Sequence, residues 1–193
     1  GPFALRKVDV GREVDPVRLA AYDLLVAVAE EDAYANLVLP GLLRERGISG
    51  RDAAFATELT YGALRGQGAY DSVLEACVDR PLDELDPRVL AVLRLGAHQL
   101  LATRVPAHAA VATSVDIARE TTGEGPARLV NAVLRRVSAR PLDDWMVRLA
   151  PDSGEDPIGH LAVRHSHPAW VVQAFADALG GDLAEVSQLL AAD

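Results

Sequence analysis

Apolar residues recur along this chain at helical spacing. Val17, Ala20, Ala21, Leu24, Leu25 and Val28 fall at i, i+3, i+4, i+7, i+8 and i+11, one continuous helix face. A second run from Ser49 turns Phe55, Leu59 and Gly62 inward and breaks at Gly66-Gln67-Gly68; a helix from Tyr70 to about Val78 follows. Pro87 opens the most apolar helix, with Val89, Leu90, Leu93, Gly96, Leu100 and Leu101. Two more helices are predicted, from Pro106 to about Thr122 and from Pro126 to Ala139. Prolines at 16, 87, 106, 126, 157 and 168 mark helix starts, where the first helical N–H lacks a partner in any case. Ser49 with Asp52 three residues on resembles a capping box. No strand-type alternation of useful length is present, so the pattern predicts an all-α chain.

Residues 141–157 break this rhythm. PLDDW and PDSGEDP concentrate Pro, Asp, Gly and Ser, as a linker does, with Trp145, Met146 and Leu149 expected to pin it to a neighbouring surface. Short helices are predicted beyond it at 158–165, 168–180 and 183–192, the middle one with Trp170, Val171, Ala174, Phe175 and Ala178 on one face. Three units result: residues 1–15, an N-terminal arm whose Gly1-Pro2 resembles a protease-cleavage scar; a helical domain at 16–140; and a linker with connector helices at 141–193. Neither an internal repeat nor a low-complexity tract appears.

Composition supports the helical reading, because Ala, Leu and Val far outnumber the strand-forming aromatics. No apolar run approaches the roughly 18–20 residues of a membrane span, so no membrane role is expected. The N-terminus carries no signal-peptide pattern, and a single cysteine, Cys77, permits neither an internal disulfide nor a cysteine-rich zinc site. A reducing cytoplasm is the expected compartment. The net charge of −9 argues against nucleic acid until its distribution is considered. Residues 1–140 carry 17 basic and 19 acidic side chains, a balance of −2, whereas residues 141–193 carry 2 and 9, a balance of −7. Between 125 and 140 there are four arginines and no acid.

Those arginines are the leading candidate site. On a helix Arg128 and Arg135, seven apart, nearly superimpose in projection; Arg136 lies beside them and Arg140 follows. Such a face tracks phosphates, though a solvated surface or the helix dipole explains arginines there as well. Asn131 interrupts the apolar stripe of the same helix and is expected to act as a buried polar lock. Glu58, Asp71 and Arg94 sit on helices that should pack together, and a buried Arg94 calls for a carboxylate partner; a structural ion pair is the preferred role. His160, His165 and His167 do not make a two-histidine metal face, and His98 and His108 are isolated, so no metal is expected. Gly66-Gln67-Gly68 follows a helix and lacks the Lys-Ser/Thr of a phosphate loop. Cys77 lies between acids, which disfavour its thiolate, and is expected to be inert.

DAAFATELTYGALR at 52–65, Tyr70-Asp71, LRLGAHQLL at 93–101, VPAHAAV at 105–111 and LVNAVLRR at 129–136 resemble, in order and spacing, the NusB-type RNA-binding fold over about residues 16–140. The resemblance implies two packed helical subbundles that bind RNA. Two branches share that fold: free-standing transcription antitermination factors, and the N-terminal domain of Sun/Fmu-type ribosomal RNA (cytosine-C5) methyltransferases. YGALR, LRLGAHQLL and VNAVLRR are closer to the second, and HSHPAWVVQAFADALG resembles its connector into the catalytic domain. The family's basic arm falls on Arg6, Lys7, Arg12 and Arg18, interleaved here with Asp9, Glu13 and Asp15; Lys7, Arg12 and Arg18, with Arg65 of YGALR, complete the candidate RNA contacts.

The expected function is to hold bacterial 16S ribosomal RNA for a methyltransferase domain joined in cis. That domain would use S-adenosylmethionine. The chain itself should be catalytically silent: C5 methylation needs a cysteine thiolate, which the family places after proline with a second cysteine elsewhere, and Cys77 is neither. No strand leads into a glycine-rich turn for the cofactor. The rival readings are a free-standing antitermination factor and a protein-interaction or dimerisation module.

Overall fold

In a computed structural model, the structure describes residues 14–149. They form eight α-helices and one 3-10 turn: α1 (Pro16–Glu31), α2 (Ala35–Glu45), α3 (Gly50–Arg65), α4 (Gln67–Cys77), the turn Leu82–Glu84, α5 (Pro87–Ala102), α6 (Ala107–Thr122), α7 (Glu124–Val137) and α8 (Leu142–Leu149). No strand occurs among the described residues.

Local chemistry sets several of the ends. Asp15 caps α1 by accepting from the N–H groups of Val17 and Arg18, at 2.9 and 3.1 Å, and Pro16 takes the first helical position. Asp86 and Pro87 repeat the device at α5, with Asp86 accepting from Arg88 N at 2.9 Å. The predicted box at Ser49 does not form: Ser49 precedes α3 but its side chain makes no capping hydrogen bond. α7 begins at Glu124, two residues ahead of Pro126, since proline's missing N–H is equally harmless anywhere in the first turn.

Two helices lie outside the predicted pattern. α2 carries Pro40 within it and buries only Leu39, Leu42 and Leu43, too short a stripe to stand out by periodicity. Residues 142–149, expected as linker, form α8. Trp145 and Met146 are buried, and Trp145 Nε1 donates to the Val137 carbonyl at 3.0 Å, which docks α8 onto the end of α7. The helices predicted at 158–165, 168–180 and 183–192 lie outside the described residues, as do Lys7 and Arg12.

α1 joins two cores. Leu19, Ala21, Tyr22 and Leu25 enter the larger one, with residues of α3 to α8; Val17, Ala20 and Leu24 enter a smaller one with Leu39, Leu42 and Leu43 of α2 and Ala56 of α3. The single face predicted for α1 is therefore only part of what it buries. α5 is buried almost all round, from Ala91 to Gln99 except for the half-buried Arg94. Gly96 explains how α6 and α7 close over it: a Cβ there would stand 2.5 Å from Leu134 Cδ1 and 3.0 Å from Ser114 Oγ. α7 buries Val130, Val133, Leu134 and Val137 against this core, each worth about 1.5–3 kcal/mol. That burial fixes which face of α7 looks outward.

Candidate nucleic-acid interface

The outward face of α7 carries Arg128 and Arg135. Both are exposed, and neither guanidinium makes a hydrogen bond or ion pair among the described residues; the Arg135 carbonyl accepts from Ser138 Oγ at 2.8 Å. Arg136 turns to the side and donates from Nη1 to the carbonyl of Cys77 at 2.9 Å. Cys77 is the last residue of α4, so Arg136 satisfies a terminal carbonyl at the negative end of that helix. Arg140 pairs with Asp144 at 3.2 Å and lies over the Trp145 ring, 5.8 Å from its centroid. Arg65, the last residue of α3, is exposed.

Arg18 is placed otherwise. Its side chain is only 12 % exposed. It pairs with Asp15, donates from Nε to Gln99 Oε1 at 2.7 Å and lies over Phe55 at 5.1 Å. These contacts join α1, α3 and α5 and occupy the guanidinium.

Beside the arginine face lies a depression of about 310 Å³. Arg80, Glu84, Leu85, Asp86 and Val89 form one wall; Gly125, Pro126 and Leu129 of α7 form the other. Leu129 and Arg136 are seven residues apart and share one side of α7. The segment from Cys77 to Asp86 thus follows that side, held by Arg136 at one end and bordering the depression at the other.

The polar residues predicted to be structural separate into two groups. Arg94 donates twice to Asp71, Nε to Oδ1 and Nη2 to Oδ2, each at 2.8 Å, a bidentate pair between α5 and α4. Glu58 does not join them: its Oε1 lies 3.3 Å from His98 Nε2. The predicted triad is a pair, because Glu58 faces another part of α5. Asn131 is half-buried rather than enclosed, so the sealed polar lock expected of it is not what the helix packing produces. Cys77 is buried, and burial pushes its thiol pKa up against the opposing pull of Arg136; the flanking acids expected to do this are not the cause.

His98 was isolated by spacing, yet the fold gives it three neighbours. Its ring is 2 % exposed, Nδ1 lies 2.7 Å from the Tyr70 hydroxyl, Nε2 faces Glu58, and the ring rests on Gly62, where a Cβ would come within 2.2 Å. Burial holds His98 below its ordinary pKa despite Glu58, and pushes Tyr70 up to about 12. The available signal was a His98-Gln99 polar pair inside the most apolar helix.

Among the described residues no group of His, Cys, Asp and Glu could hold a metal, and no helix is long and apolar enough to cross a membrane. Among them no strand leads into a glycine-rich turn.

An all-α domain with two cores sharing α1, and an arginine face on α7 without ion pairs among the described residues, is the class of protein these features define. The chain belongs to the NusB family, whose model matches residues 15–139. A Mycobacterium tuberculosis (strain ATCC 25618 / H37Rv) protein, named provisionally as a methyltransferase, is 53% identical over 182 residues, covering 94% of this chain and 40% of the relative. The probable ribosomal RNA small subunit methyltransferase B of Bacillus subtilis (strain 168) is 33% identical over 170 residues, covering 88% and 36%. The chain thus spans well under half the length of these relatives. The fold is similar to that in the crystal structure of antitermination factors NusB and NusE in complex with dsRNA, with TM-score 0.58, 22% identity, and coverage of 64% of this chain and 93% of that one.

Proposed function

We propose that this domain holds ribosomal RNA for a cytosine-C5 methyltransferase of the Sun/Fmu type, in the bacterial cytoplasm. The catalytic domain and its S-adenosylmethionine lie in cis outside the described residues, whose own task is binding and orientation. The observation that carries the reading is the Arg128–Arg135 face, clear of ion pairs among the described residues and bordered by the depression at Leu129. Arginines without internal partners are available to phosphates, and each phosphate neutralised releases counterions. In the depression beside them Leu85, Val89, Pro126 and Leu129 offer apolar surface to an unstacked base, the usual way single-stranded RNA is held; Arg80 and the acidic Glu84 and Asp86 also line it.

The names of the relatives favour the methyltransferase branch over the free-standing factor. The NusB neighbour bound to dsRNA supports an RNA role through its fold. Affinity of the isolated chain is expected at roughly 10⁻⁴–10⁻⁶ M, the range of non-specific electrostatic contact, given the overall charge of −9. The test is a salt titration of binding to a small-subunit ribosomal RNA fragment, with the parent and with Arg128→Ala/Arg135→Ala. A log–log slope reduced by about two units supports the reading. An unchanged slope removes the arginine face from it, and absence of any salt-dependent RNA binding leaves the protein-interaction module as the better account.

A further inference from the structure

Three helices meet at one buried imidazole. His98 belongs to α5, the Tyr70 hydroxyl comes from α4, and Glu58 comes from α3, one turn before the Gly62 on which the ring rests. The tautomer follows from the neighbours. Tyr70 keeps its proton, its pKa being pushed up to about 12, and its hydroxyl is hydrogen-bonded to Nδ1 at 2.7 Å. If Nδ1 carried the imidazole proton, the bare Nε2 lone pair would face the Glu58 carboxylate at 3.3 Å. Tyr70 therefore donates to Nδ1, and the imidazole proton sits on Nε2. That contact is looser than an aligned hydrogen bond, so Glu58 acts on the ring mainly by its charge.

We propose that Glu58, His98 and Tyr70 form a proton-sensitive latch across α3, α5 and α4, which holds while His98 is neutral and releases Tyr70 when His98 is protonated. A second proton can go only to Nδ1. It removes the acceptor of the Tyr70 O–H: the hydroxyl must then turn its proton away within a buried site to accept from Nδ1–H, or part from the ring. The new cation is drawn toward Glu58, while Gly62 leaves no room for the ring to sink further into α3. The charged and titratable groups that act on the ring are Glu58 and Arg65 of α3 and Tyr70 of α4. Asp71 of α4 is engaged by Arg94, and Arg18 of α1 is engaged by Gln99 and Asp15. On the side facing α6 and α7, Gly96 meets Leu134 and Ser114, neither of them charged.

The sign of the pH dependence is fixed by geometry and burial together. His98 in the fold binds a proton less readily than in the unfolded chain, whose ordinary value is 6.5. Stability is therefore complete above that pH and declines as pH falls below it, where the unfolded state takes up a proton that the fold resists. α4 is the element expected to loosen. Its remaining ties to the rest are the Arg94–Asp71 pair, the Arg136–Cys77 contact and its apolar face.

Nitrogen-15 NMR of the His98 ring in the whole chain tests this directly. The latch requires the Nε2–H tautomer at about pH 7.5, a midpoint below 6.5, and faster amide exchange in α4 at about pH 5.5 than the intrinsic rate change accounts for. Tyr70→Phe keeps the ring packing but removes the donor to neutral His98, so the midpoint should rise. Glu58→Gln removes the charge that favours the imidazolium, so the midpoint should fall. One hydrogen bond or close charge corresponds to a shift of about one unit. An Nδ1–H tautomer, a midpoint at or above the ordinary value, shifts of the same sign in the two variants, or unaltered α4 protection would each overturn the latch.

Discussion

Arg18 and Arg46, at α1, and Arg128 and Arg135 of α7 have opposite fates. Arg18 is taken up by Asp15, Gln99 and Phe55, and Arg46, after α2, reaches Asp23 of α1 at 2.5 Å. Arg128 and Arg135 touch no acid among the described residues. The difference lies in what surrounds them. The first pair sits where helices carrying carboxylates converge, so their charge is spent on joining helices. The second sits on a helix that turns Val130, Val133, Leu134 and Val137 inward and has no acid after Glu124. A count of basic residues says little about nucleic-acid binding until the internally used ones are removed.

Several substitutions would break or sharpen that contrast. The largest effect is expected from Arg128→Glu/Arg135→Glu, which should abolish ribosomal RNA binding by repulsion while helix content, followed by circular dichroism, stays near that of the parent. Next, Arg18→Ala should cost about 1.5–3 kcal/mol of stability, the usual range for hydrogen bonds to a charged group, with the RNA salt slope unchanged. Denaturant unfolding and RNA titration on the same sample separate the two; a slope altered as much as by Arg135→Ala would erase the distinction between the regions. Arg136 lies between the extremes. Arg136→Ala should lose about 1 kcal/mol from the uncapped α4 end and change the slope by less than one unit. Arg140→Ala should be the mildest, about 0.5 kcal/mol or less in thermal unfolding, because its pair with Asp144 and its ring contact are both near the surface.

Much of the helical layout was legible because it depends on neighbours in sequence. Asp15-Pro16 and Asp86-Pro87 supply a cap and a preset φ within two residues, and both helices begin there. The inward stripes of α5 and α7 follow equally from spacing, and so does a break after Arg65, although it is confined to Gly66 and α4 starts at Gln67 instead of Tyr70. α2 and α8 did not show, since an eight- or eleven-residue helix with two or three buried side chains has little periodicity of its own. Their order comes from the surfaces they cover. Trp145 marked an attachment point for residues 141–149, but its hydrogen bond to Val137 is a contact between helices.

The candidate site divides in the same way. An acid-free run from 125 to 140, and the seven-residue step from Arg128 to Arg135, are properties of the chain, because helix period and charge pattern are local. That Arg136 would cap α4, that Arg18 would be buried, and that Glu58 would leave Arg94 for His98 are not. Each depends on which helix ends and faces meet across a core. Residues 59 apart in Cys77–Arg136 and 81 apart in Arg18–Gln99 are brought together only by packing. The sequence by itself determined where helices start and which face of α7 is basic. The tertiary structure decided which charges remain outside, because a guanidinium that finds a carboxylate or carbonyl at a helix junction no longer needs water or RNA to satisfy it.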